Sequence, residues 1–336
     1  VLRLREVLST LPPFCRDYFR AIDTTTTTKT RISYAYDIRI FFQFLLDENP
    51  AFKDYKMTDF TVDVLDQIKA LDLEEYQEYL KVYQAGDKTE TNGERGLKRK
   101  ISALRSFYAY YYRREMIETN PTVLIDVPKI HDKSIIRLDT DEVALLLDYI
   151  EHCGDQLTGQ KRVYYEKNKE RDLAIVTLLL GTGIRVSECV GLDIEDVDFK
   201  NNGIKVTRKG GNEMVVYFGP EVEKALKRYL EVRENIIPLE GHEHALFYSA
   251  QRRRIGVQAI ENLVKKYAQQ ITTTKKITPH KLRSTYGTTL YQETGDIYLV
   301  ADVLGHKDVN TTKKHYAAID DARRRQAAKA VKLRED

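Results

Sequence analysis

The sequence has few features of a secreted, membrane-bound or metal-dependent protein. Its three cysteines, Cys15, Cys153 and Cys189, are far apart and form no pair with the spacing of a metal site. An odd number of scattered cysteines is typical of a reduced, intracellular compartment, so we interpret them as small core or surface residues. No acidic cluster indicates a divalent-ion site, and we expect neither a metal nor another cofactor.

Long apolar runs are also missing. The longest candidate, residues 173–180, is far shorter than the roughly 20 residues that a bilayer-spanning helix needs. The first residues show no charged start followed by an apolar stretch and a small-residue cleavage site, so secretion is not expected. We predict a soluble, cytoplasmic protein without a membrane partner.

The overall charge is close to balanced. The 54 lysines and arginines against 51 aspartates and glutamates leave a formal net charge of only +3. A nucleic-acid partner therefore cannot be inferred from the total. Only the distribution of the cations along the chain can indicate one.

The length and the hydrophobic periodicity predict two mainly helical domains joined by a short linker. A chain of 336 residues is long enough to bury two separate cores. Residues 1–125 are predicted to be almost wholly helical, because apolar residues recur at three-to-four spacing. The proline-containing residues 126–137 are predicted to be the linker, and residues 138–336 the second domain.

The second domain is predicted to be mostly helical with one strand region. Thr140 is expected to cap its first helix, and another helix is expected over residues 170–182. Over residues 203–218, alternating apolar residues surround a Gly-Gly reversal, which predicts a β-hairpin with Lys209 at its turn. Helices are expected to continue from Pro220 to the end.

A predicted helix over residues 97–114 combines an apolar face with a basic one. The apolar face consists of Leu97, Ile101, Leu104, Tyr108 and Tyr111. The other face is predicted to expose Lys98, Arg99, Lys100, Arg105, Arg113 and Arg114. Cations in this arrangement could follow a phosphate backbone, and a solvated helix surface is the alternative interpretation. A polar, charged loop is predicted before this helix, around residues 86–96, and the helix is expected to end at Asn120-Pro121.

Two short motifs supply phosphate-binding side chains. Arg185 follows Gly181-Thr182-Gly183-Ile184, where glycines allow a backbone to approach a ligand and the arginine fork can meet two phosphate oxygens. Glu188 could hold a neighbouring side chain there by a hydrogen bond. His280 and Arg283 are three residues apart, hence on one helix face, and would present a proton-transfer group and a second fork. Each motif alone also fits an ordinary surface.

A histidine and a tyrosine close the series of candidate groups. Tyr316 lies ten residues after His306 (316 − 306 = 10). A tyrosine has an ordinary pKa of about 10, so it attacks poorly unless cations and an acceptor help to remove its proton. Converging guanidiniums and imidazoles would provide that environment at a phosphodiester without a metal.

Taken in order, these segments resemble the tyrosine recombinases, also called the phage integrase family. The resemblance covers about residues 20–325 and rests on the ordered motifs Gly181-Thr182-Gly183-Ile184-Arg185-Val186-Ser187-Glu188, Lys209, His280-x-x-Arg283, Leu304-Gly305-His306 and Tyr316. The length is similar to Xer-type and Cre-type members, and integrases of mobile elements look alike. The resemblance implies a mainly α fold: an N-terminal helical core-binding (SAM-like) domain plus a mostly helical catalytic domain with a small β-sheet, together a C-shaped clamp.

The resemblance also implies a role for each candidate residue. Arg185 and Arg283 would grip the non-bridging oxygens of the scissile phosphate, while His280 and His306 would hydrogen-bond it and shuttle protons. The remaining roles go to Lys209, as the acid that protonates the leaving 5′ oxygen, and Tyr316, as the nucleophile that forms a 3′-phosphotyrosyl link.

Two departures from the family pattern leave alternatives open. In many members the tyrosine lies nine residues after the second histidine, a spacing that lands here on His315 rather than Tyr316 (306 + 9 = 315). The lysine turn has Arg208 before Lys209 rather than the usual glycine, so Arg208 and Lys205 remain lesser candidates for the acid.

The resemblance implies double-stranded DNA as the substrate and a homo-tetramer that synapses two sites. The tail, residues 320–334, would be exchanged between protomers, with a frayed basic tail as the alternative. Accessory or directionality factors are further expected partners. The rival functions are a type IB topoisomerase or telomere-resolving enzyme, and a non-catalytic DNA-binding regulator. The biological role would be chromosome-dimer resolution or movement of a mobile element.

Overall fold

The chain forms two compact units, unit 1 (Val1–Lys133) and unit 2 (Ser134–Asp336). The structure, a computed structural model, describes residues 1–131, 135–208, 210–306 and 308–316, with the backbone alone for residues 311 and 314–316. No helix within these ranges is long and apolar enough to cross a membrane.

Unit 1 is a helical body with a small hairpin. Its elements are α1 (Leu2–Leu8), α2 (Cys15–Ala21), α3 (Thr28–Glu48), α4 (Val64–Gln67), α5 (Ala70–Tyr79), β1 (Val82–Ala85), β2 (Lys88–Thr91) and α6 (Glu94–Arg113). The two long helices α3 and α6 pack through aromatic side chains, among which Phe42 and Phe107 are fully buried and meet edge to face. This core orients the polar face of α6.

Two predictions for unit 1 were wrong. The segment before α6 was predicted to be a polar loop, yet β1 and β2 pair there as an antiparallel hairpin that turns at Gly86. Helix α6 ends at Arg113 rather than near Asn120, because Glu115 takes a left-handed conformation (φ 56°) that stops the helix.

Unit 2 is built around α8. Its elements are α7 (Thr140–His152), α8 (Gly159–Thr182), α9 (Val186–Gly191), β3 (Val197–Asp198), β4 (Gly203–Thr207), β5 (Glu213–Tyr217), α10 (Pro220–Arg233), α11 (Val257–Ile271), α12 (Pro279–Thr294), α13 (Ile297–Leu304) and α14 (Val309–Tyr316). The second half of α8 is buried on nearly all sides, and α7, α10 and α12 pack on it. The strands form an antiparallel sheet in the order β3-β4-β5.

The strand prediction for unit 2 is confirmed, and two helix boundaries differ. The β4–β5 pair runs as expected, with Thr207 opposite Glu213 as its last pair. Helix α8 begins at Gly159, eleven residues before the predicted start at residue 170 (170 − 159 = 11). The prediction missed the first half of the helix because that half is polar and lacks an apolar period. Asp139, rather than Thr140, is the N-cap of α7.

Candidate active site

A left-handed glycine positions Arg185. Helix α8 ends at Gly183, which has φ 63° and ψ 17°. A Cβ atom there would overlap the ring of Tyr286 and press on Leu304, so only glycine fits both the backbone and the space. The chain then reverses into α9 with Arg185 as its N-cap residue.

A buried carboxylate holds Arg185 in place. Glu188 accepts one hydrogen bond from the Arg185 backbone N–H to Oε2 and one from Arg185 Nη1 to Oε1, both at 2.8 Å. The Glu188 side chain is 4% exposed and the Arg185 side chain 37%. The carboxylate is therefore enclosed while the guanidinium still reaches solvent, which matches the supporting role predicted for Glu188 in geometry.

Helix α12 carries the second arginine and the first histidine. Arg283 is buried, and its Nη1 donates to the Gly183 carbonyl at 2.5 Å while Nη2 donates to the Leu304 carbonyl. His280 is exposed in the first turn of the same helix, just after Pro279. The expected common face therefore holds one enclosed guanidinium and one accessible imidazole.

The end of α13 brings three arginines together. We use the term α13 terminus for the backbone carbonyls of residues 302–305. Arg185 Nη2 lies 3.4 Å from the Gly305 carbonyl, beside the Arg283 contact to Leu304. Arg208 Nη1 and Nη2 donate to Asp302 and Val303 at 3.3 and 2.7 Å. Cations at a helix C-terminus complement its partial negative charge.

His306 follows this terminus and is fixed from two sides. Its backbone N–H donates to the Ala301 carbonyl at 2.9 Å, and its ring Nδ1 lies 2.7 Å from Thr312 Oγ1. Gly305 makes the reversal with φ 61°. Thr312 is fully buried on α14, the helix that includes Tyr316.

An open pocket of about 800 Å³ lies against these groups. Its lining includes Arg185, Arg208, Asn212, Gly305 and His306. The pocket thus joins the β4–β5 turn, the α13 terminus and the start of α9. In the described part of the chain there is no group of three or more His, Cys, Asp or Glu that could hold a metal ion.

Arg208 is the residue whose position sequence reasoning missed. It was considered only as a lesser candidate for the acid, yet its guanidinium lies among the site arginines. Burial lowers the pKa of Arg208, and the nearby Arg185 lowers it further, whereas Glu188 and Asp302 oppose the shift. No local pattern indicates this, because the partners of Arg208 are 94 and 95 residues away.

Three predicted features lie on residues or side chains that the structure does not describe. Lys209 and the tail over residues 320–334 are outside the described residues, and so is the side chain of Tyr316. For Tyr316 the structure gives its place at the end of α14. For Lys209 it gives the neighbouring hairpin residues on both sides.

In unit 1 the basic face of α6 is smaller than predicted. Lys98 and Arg99 are exposed, although Arg99 also pairs with the buried Asp37. The expected exposure of Lys100 was wrong: the residue is 6% exposed, and its Nζ donates to Asn92 Oδ1 at 2.8 Å.

Arg105 is also turned inward. It is half-buried, and it donates from Nε to the Thr122 carbonyl at 3.0 Å and from Nη2 to the Ile125 carbonyl at 2.7 Å. These contacts tie α6 to the segment after it. Arg113 and Arg114 are exposed at the other end of the helix.

Comparison with known proteins gives an independent set of findings. The family model described as "Phage integrase family" matches residues 137–323. Tyrosine recombinase XerS of Lactococcus lactis subsp. cremoris (strain MG1363) is 31% identical, over 96% of this chain and 96% of that protein. Tyrosine recombinase XerC of Caldanaerobacter subterraneus subsp. tengcongensis (strain DSM 15242 / JCM 11007 / NBRC 100824 / MB4) is 32% identical, over 94% of this chain and 86% of that protein.

A solved structure shares the fold. The crystal structure of XerH site-specific recombinase bound to difH substrate, a pre-cleavage complex, has a TM-score of 0.65 to this chain at 21% identity. The match covers 91% of this chain and 80% of that chain. The predicted mainly helical architecture with small antiparallel sheets is therefore confirmed.

Proposed function

The chain belongs to the phage integrase family, the tyrosine recombinases, and from this premise we infer that it is a site-specific DNA recombinase that cleaves DNA strands and rejoins them to new partners. The family model spans residues 137–323, and the curated relatives match nearly the whole chain. The inference therefore concerns a reaction to which both units contribute.

The observation that carries the proposal is the meeting of Arg185, Arg283 and His306 at the α13 terminus. Two guanidiniums reach the carbonyls of adjacent residues, and the imidazole follows in the next position. A guanidinium has five N–H donors in a planar fork, so an arginine can bind a carbonyl and a phosphate oxygen at the same time. The open pocket beside Arg185 and His306 has room for a phosphodiester.

The proposed reaction needs no metal and no cofactor. Arg185 and Arg283 hold the non-bridging oxygens of the scissile phosphate, and their charge stabilises the additional negative charge of the pentacoordinate transition state. His280 and His306 donate hydrogen bonds to the same oxygens and transfer protons. Glu188 keeps Arg185 oriented through the whole reaction.

The bond changes balance within the active site. The Tyr316 oxygen attacks phosphorus and loses its proton to one of the two imidazoles, His280 or His306, while the bond from phosphorus to the 5′ oxygen breaks. Lys209 gives that oxygen a proton, so a 5′-hydroxyl leaves and a 3′-phosphotyrosyl link remains. A 5′-hydroxyl of another strand then attacks this link and restores Tyr316, and no ATP is consumed because the bond energy is conserved.

Unit 1 is proposed to bind the duplex through the exposed cations of α6. Lys98, Arg99, Arg113 and Arg114 are the exposed members. Phosphate contacts of this kind add affinity and position without reading sequence. Lys100 and Arg105 are not included, because their donors bind groups inside unit 1.

The assembly is proposed to be a homo-tetramer on two synapsed sites, with the tail after Tyr316 exchanged between protomers. Its role is chromosome-dimer resolution or movement of a mobile element, acting in the cytoplasm and with accessory factors where the element requires direction. The DNA that flanks the gene separates the two roles, since an attachment-like repeat or conjugation genes would indicate an element.

Covalent trapping tests the proposal directly. A genomic site selected by binding to the full chain is nicked close to the cleavage position, so that the released fragment diffuses away. We expect an SDS-stable protein–DNA complex that Tyr316→Phe abolishes and His315→Ala retains. Binding without a complex would indicate a non-catalytic regulator, and relaxation of plasmids that lack the site would indicate a topoisomerase.

A further inference from the structure

Arg208 lies at the start of the β4–β5 turn, and the two glycines of this turn make no close packing contacts. Its backbone N–H donates to the Asn212 carbonyl at 2.7 Å, and its own carbonyl accepts from the Gly211 N–H at 3.0 Å, which closes the β4–β5 turn. Gly210 and Gly211 have φ 101° and 84°, and Cβ atoms at both positions would meet nothing within 4 Å. Packing of the glycines therefore does not fix where the turn sits.

The Arg208 side chain connects this turn to α13. Nη1 donates to the Asp302 carbonyl at 3.3 Å and Nη2 to the Val303 carbonyl at 2.7 Å. The guanidinium passes so close to Gly305 that a Cβ atom at that position would overlap it. The glycine that reverses the chain before His306 also makes room for the arginine.

Arg208 lines the pocket, and its terminal nitrogens also bind backbone carbonyls of the protein. Both terminal nitrogens are on carbonyls, and Nε is buried with no acceptor among the described residues. Burial and the nearby Arg185 lower the pKa of the group, whereas Glu188 and Asp302 favour its charged form. The two carbonyl contacts at the end of α13 hold the guanidinium in place, which gives this side chain a mechanical role.

We propose that Arg208 is a positioning residue of the recombinase: it ties the β4–β5 turn to the α13 terminus, so that the general acid on the turn and His306 reach the same phosphate. This inference rests on the proposed function, in which Lys209 is that acid. Arg208 itself transfers no proton and needs no contact with DNA. Its effect is on the step in which the 5′ oxygen leaves.

A sulfur-containing substrate isolates that step. When the bridging 5′ oxygen is replaced by sulfur, the tyrosine–phosphorus bond forms and the phosphorus–sulfur bond breaks in the same way. The electron pair stays on sulfur as a thiolate, which leaves without a proton. A variant with a misplaced acid is therefore slow on the oxygen substrate and recovers on the sulfur substrate, whereas a variant that binds phosphate poorly is slow on both.

The test compares single-turnover cleavage of the two nicked substrates by the full chain. We expect Arg208→Ala to cleave the oxygen substrate on the order of 10²-fold more slowly than the unsubstituted chain, as for small misplacements of catalytic groups. On the sulfur substrate, the cleavage rate of Arg208→Ala should be within about threefold of the rate of the unsubstituted chain. Arg208→Lys keeps the charge and one donor nitrogen. It should show the same pattern with a smaller loss of the cleavage rate.

The controls separate this inference from the proposed function. Lys209→Ala, which lacks the acid, should cleave the oxygen substrate slowly and recover on the sulfur substrate. Arg185→Ala should be slow on both substrates. Arg228→Ala, which removes an arginine paired with Glu151 and Glu170 outside the pocket, should cleave normally.

Two results would overturn the role of Arg208 while leaving the recombinase intact: an equal loss on both substrates, or normal rates on both. Thermal denaturation shows whether each variant is folded. If Arg208→Ala does not fold, the comparison is made with Arg208→Lys instead. If the unsubstituted chain forms no covalent complex with either substrate, the proposed function fails and the inference fails with it.

Discussion

The imidazole of His306 is held by the hydroxyl of Thr312, with Nδ1 and Oγ1 2.7 Å apart. Thr312 is fully buried and lies four residues before Tyr316 on α14 (316 − 312 = 4), so one hydrogen bond joins the histidine to the nucleophile's helix. Thr312→Val keeps the shape and removes the bond. We expect single-turnover cleavage to fall roughly tenfold, the effect of one hydrogen bond.

The matched variant Thr312→Ser keeps the hydroxyl and loses only a methyl group. It should retain most of the cleavage rate when the two variants are compared at equal occupancy of the DNA site. Equal cleavage rates for the two variants would contradict the role of the hydroxyl.

Replacement of Glu188 should slow cleavage and lower the stability of the fold without abolishing either. The carboxylate accepts from both the backbone and the side chain of Arg185. Glu188→Gln can offer only one acceptor, so its amide would face an N–H donor, and a lost buried hydrogen bond costs about 1–3 kcal/mol. Cleavage should slow and the melting temperature should fall, measured by suicide-substrate assay and calorimetry. Wild-type values for both would show that Arg185 holds its own position.

Gly183→Ala tests the steric account of the turn before Arg185. The new methyl group would overlap Tyr286 and press on Leu304, in a backbone conformation that alanine rarely adopts. We expect a loss of about 2 kcal/mol in the free energy of unfolding, from overpacking and backbone strain. Gly191→Ala is the control, because its Cβ would meet nothing within 4 Å. Thermal denaturation of both variants measures the difference, and a similar melting temperature would refute it.

Asp37 should give unit 1 a pH-dependent stability. Burial raises its pKa from 3.8 to about 6, although Arg99 and Lys100 lower it. Between pH 4 and 6 the folded chain keeps a proton that the unfolded chain has released, so the stability falls as pH rises through this window. The full change is about 3 kcal/mol.

Hydrogen exchange of α3, read by mass spectrometry from pH 4 to 7, measures this effect. Asp37→Asn removes the titrating group, and the difference in opening free energy between the two chains should therefore change with pH in the stated direction. A difference that stays constant across the window would mean that the carboxyl titrates normally.

The salt dependence of DNA binding distinguishes exposed from buried cations on α6. Lys98→Ala should weaken binding to all sequences alike and lower the slope of log K against log salt by about 1. Lys100→Met removes the same charge from the interior, where it binds Asn92. Its slope should stay unchanged, as measured by fluorescence anisotropy. Equal slopes for both variants would exclude phosphate contact by Lys98.

Local pattern was sufficient where a few neighbouring residues determine the structure. The β4–β5 hairpin follows from alternating apolar residues around a Gly-Gly reversal, and the structure has it there. Lys100 was assigned by its charge, yet its position one turn from Leu97 and Leu104 places it on the apolar face. Position on the helix predicts its burial better than residue type does.

Contacts between distant segments were beyond local pattern. The site motifs were found in order along the chain, but nothing in them indicates that the α13 terminus collects the arginines. Arg208 and Thr312 carry no motif of their own, and their partners are fixed only when α13 meets the β4–β5 turn and α14. Such residues become visible through distances rather than through spacing.

The carbonyls of the α13 terminus compete with a phosphate for the donors of the site arginines. An entering phosphate has to share or displace acceptors that already occupy the arginine forks. A free inorganic anion gains little from that exchange, because it brings no other contacts to offset it. A phosphate within a bound duplex arrives with the binding energy of the whole interface. A phosphate within a bound duplex is therefore expected to bind the site arginines far more tightly than a free inorganic anion does.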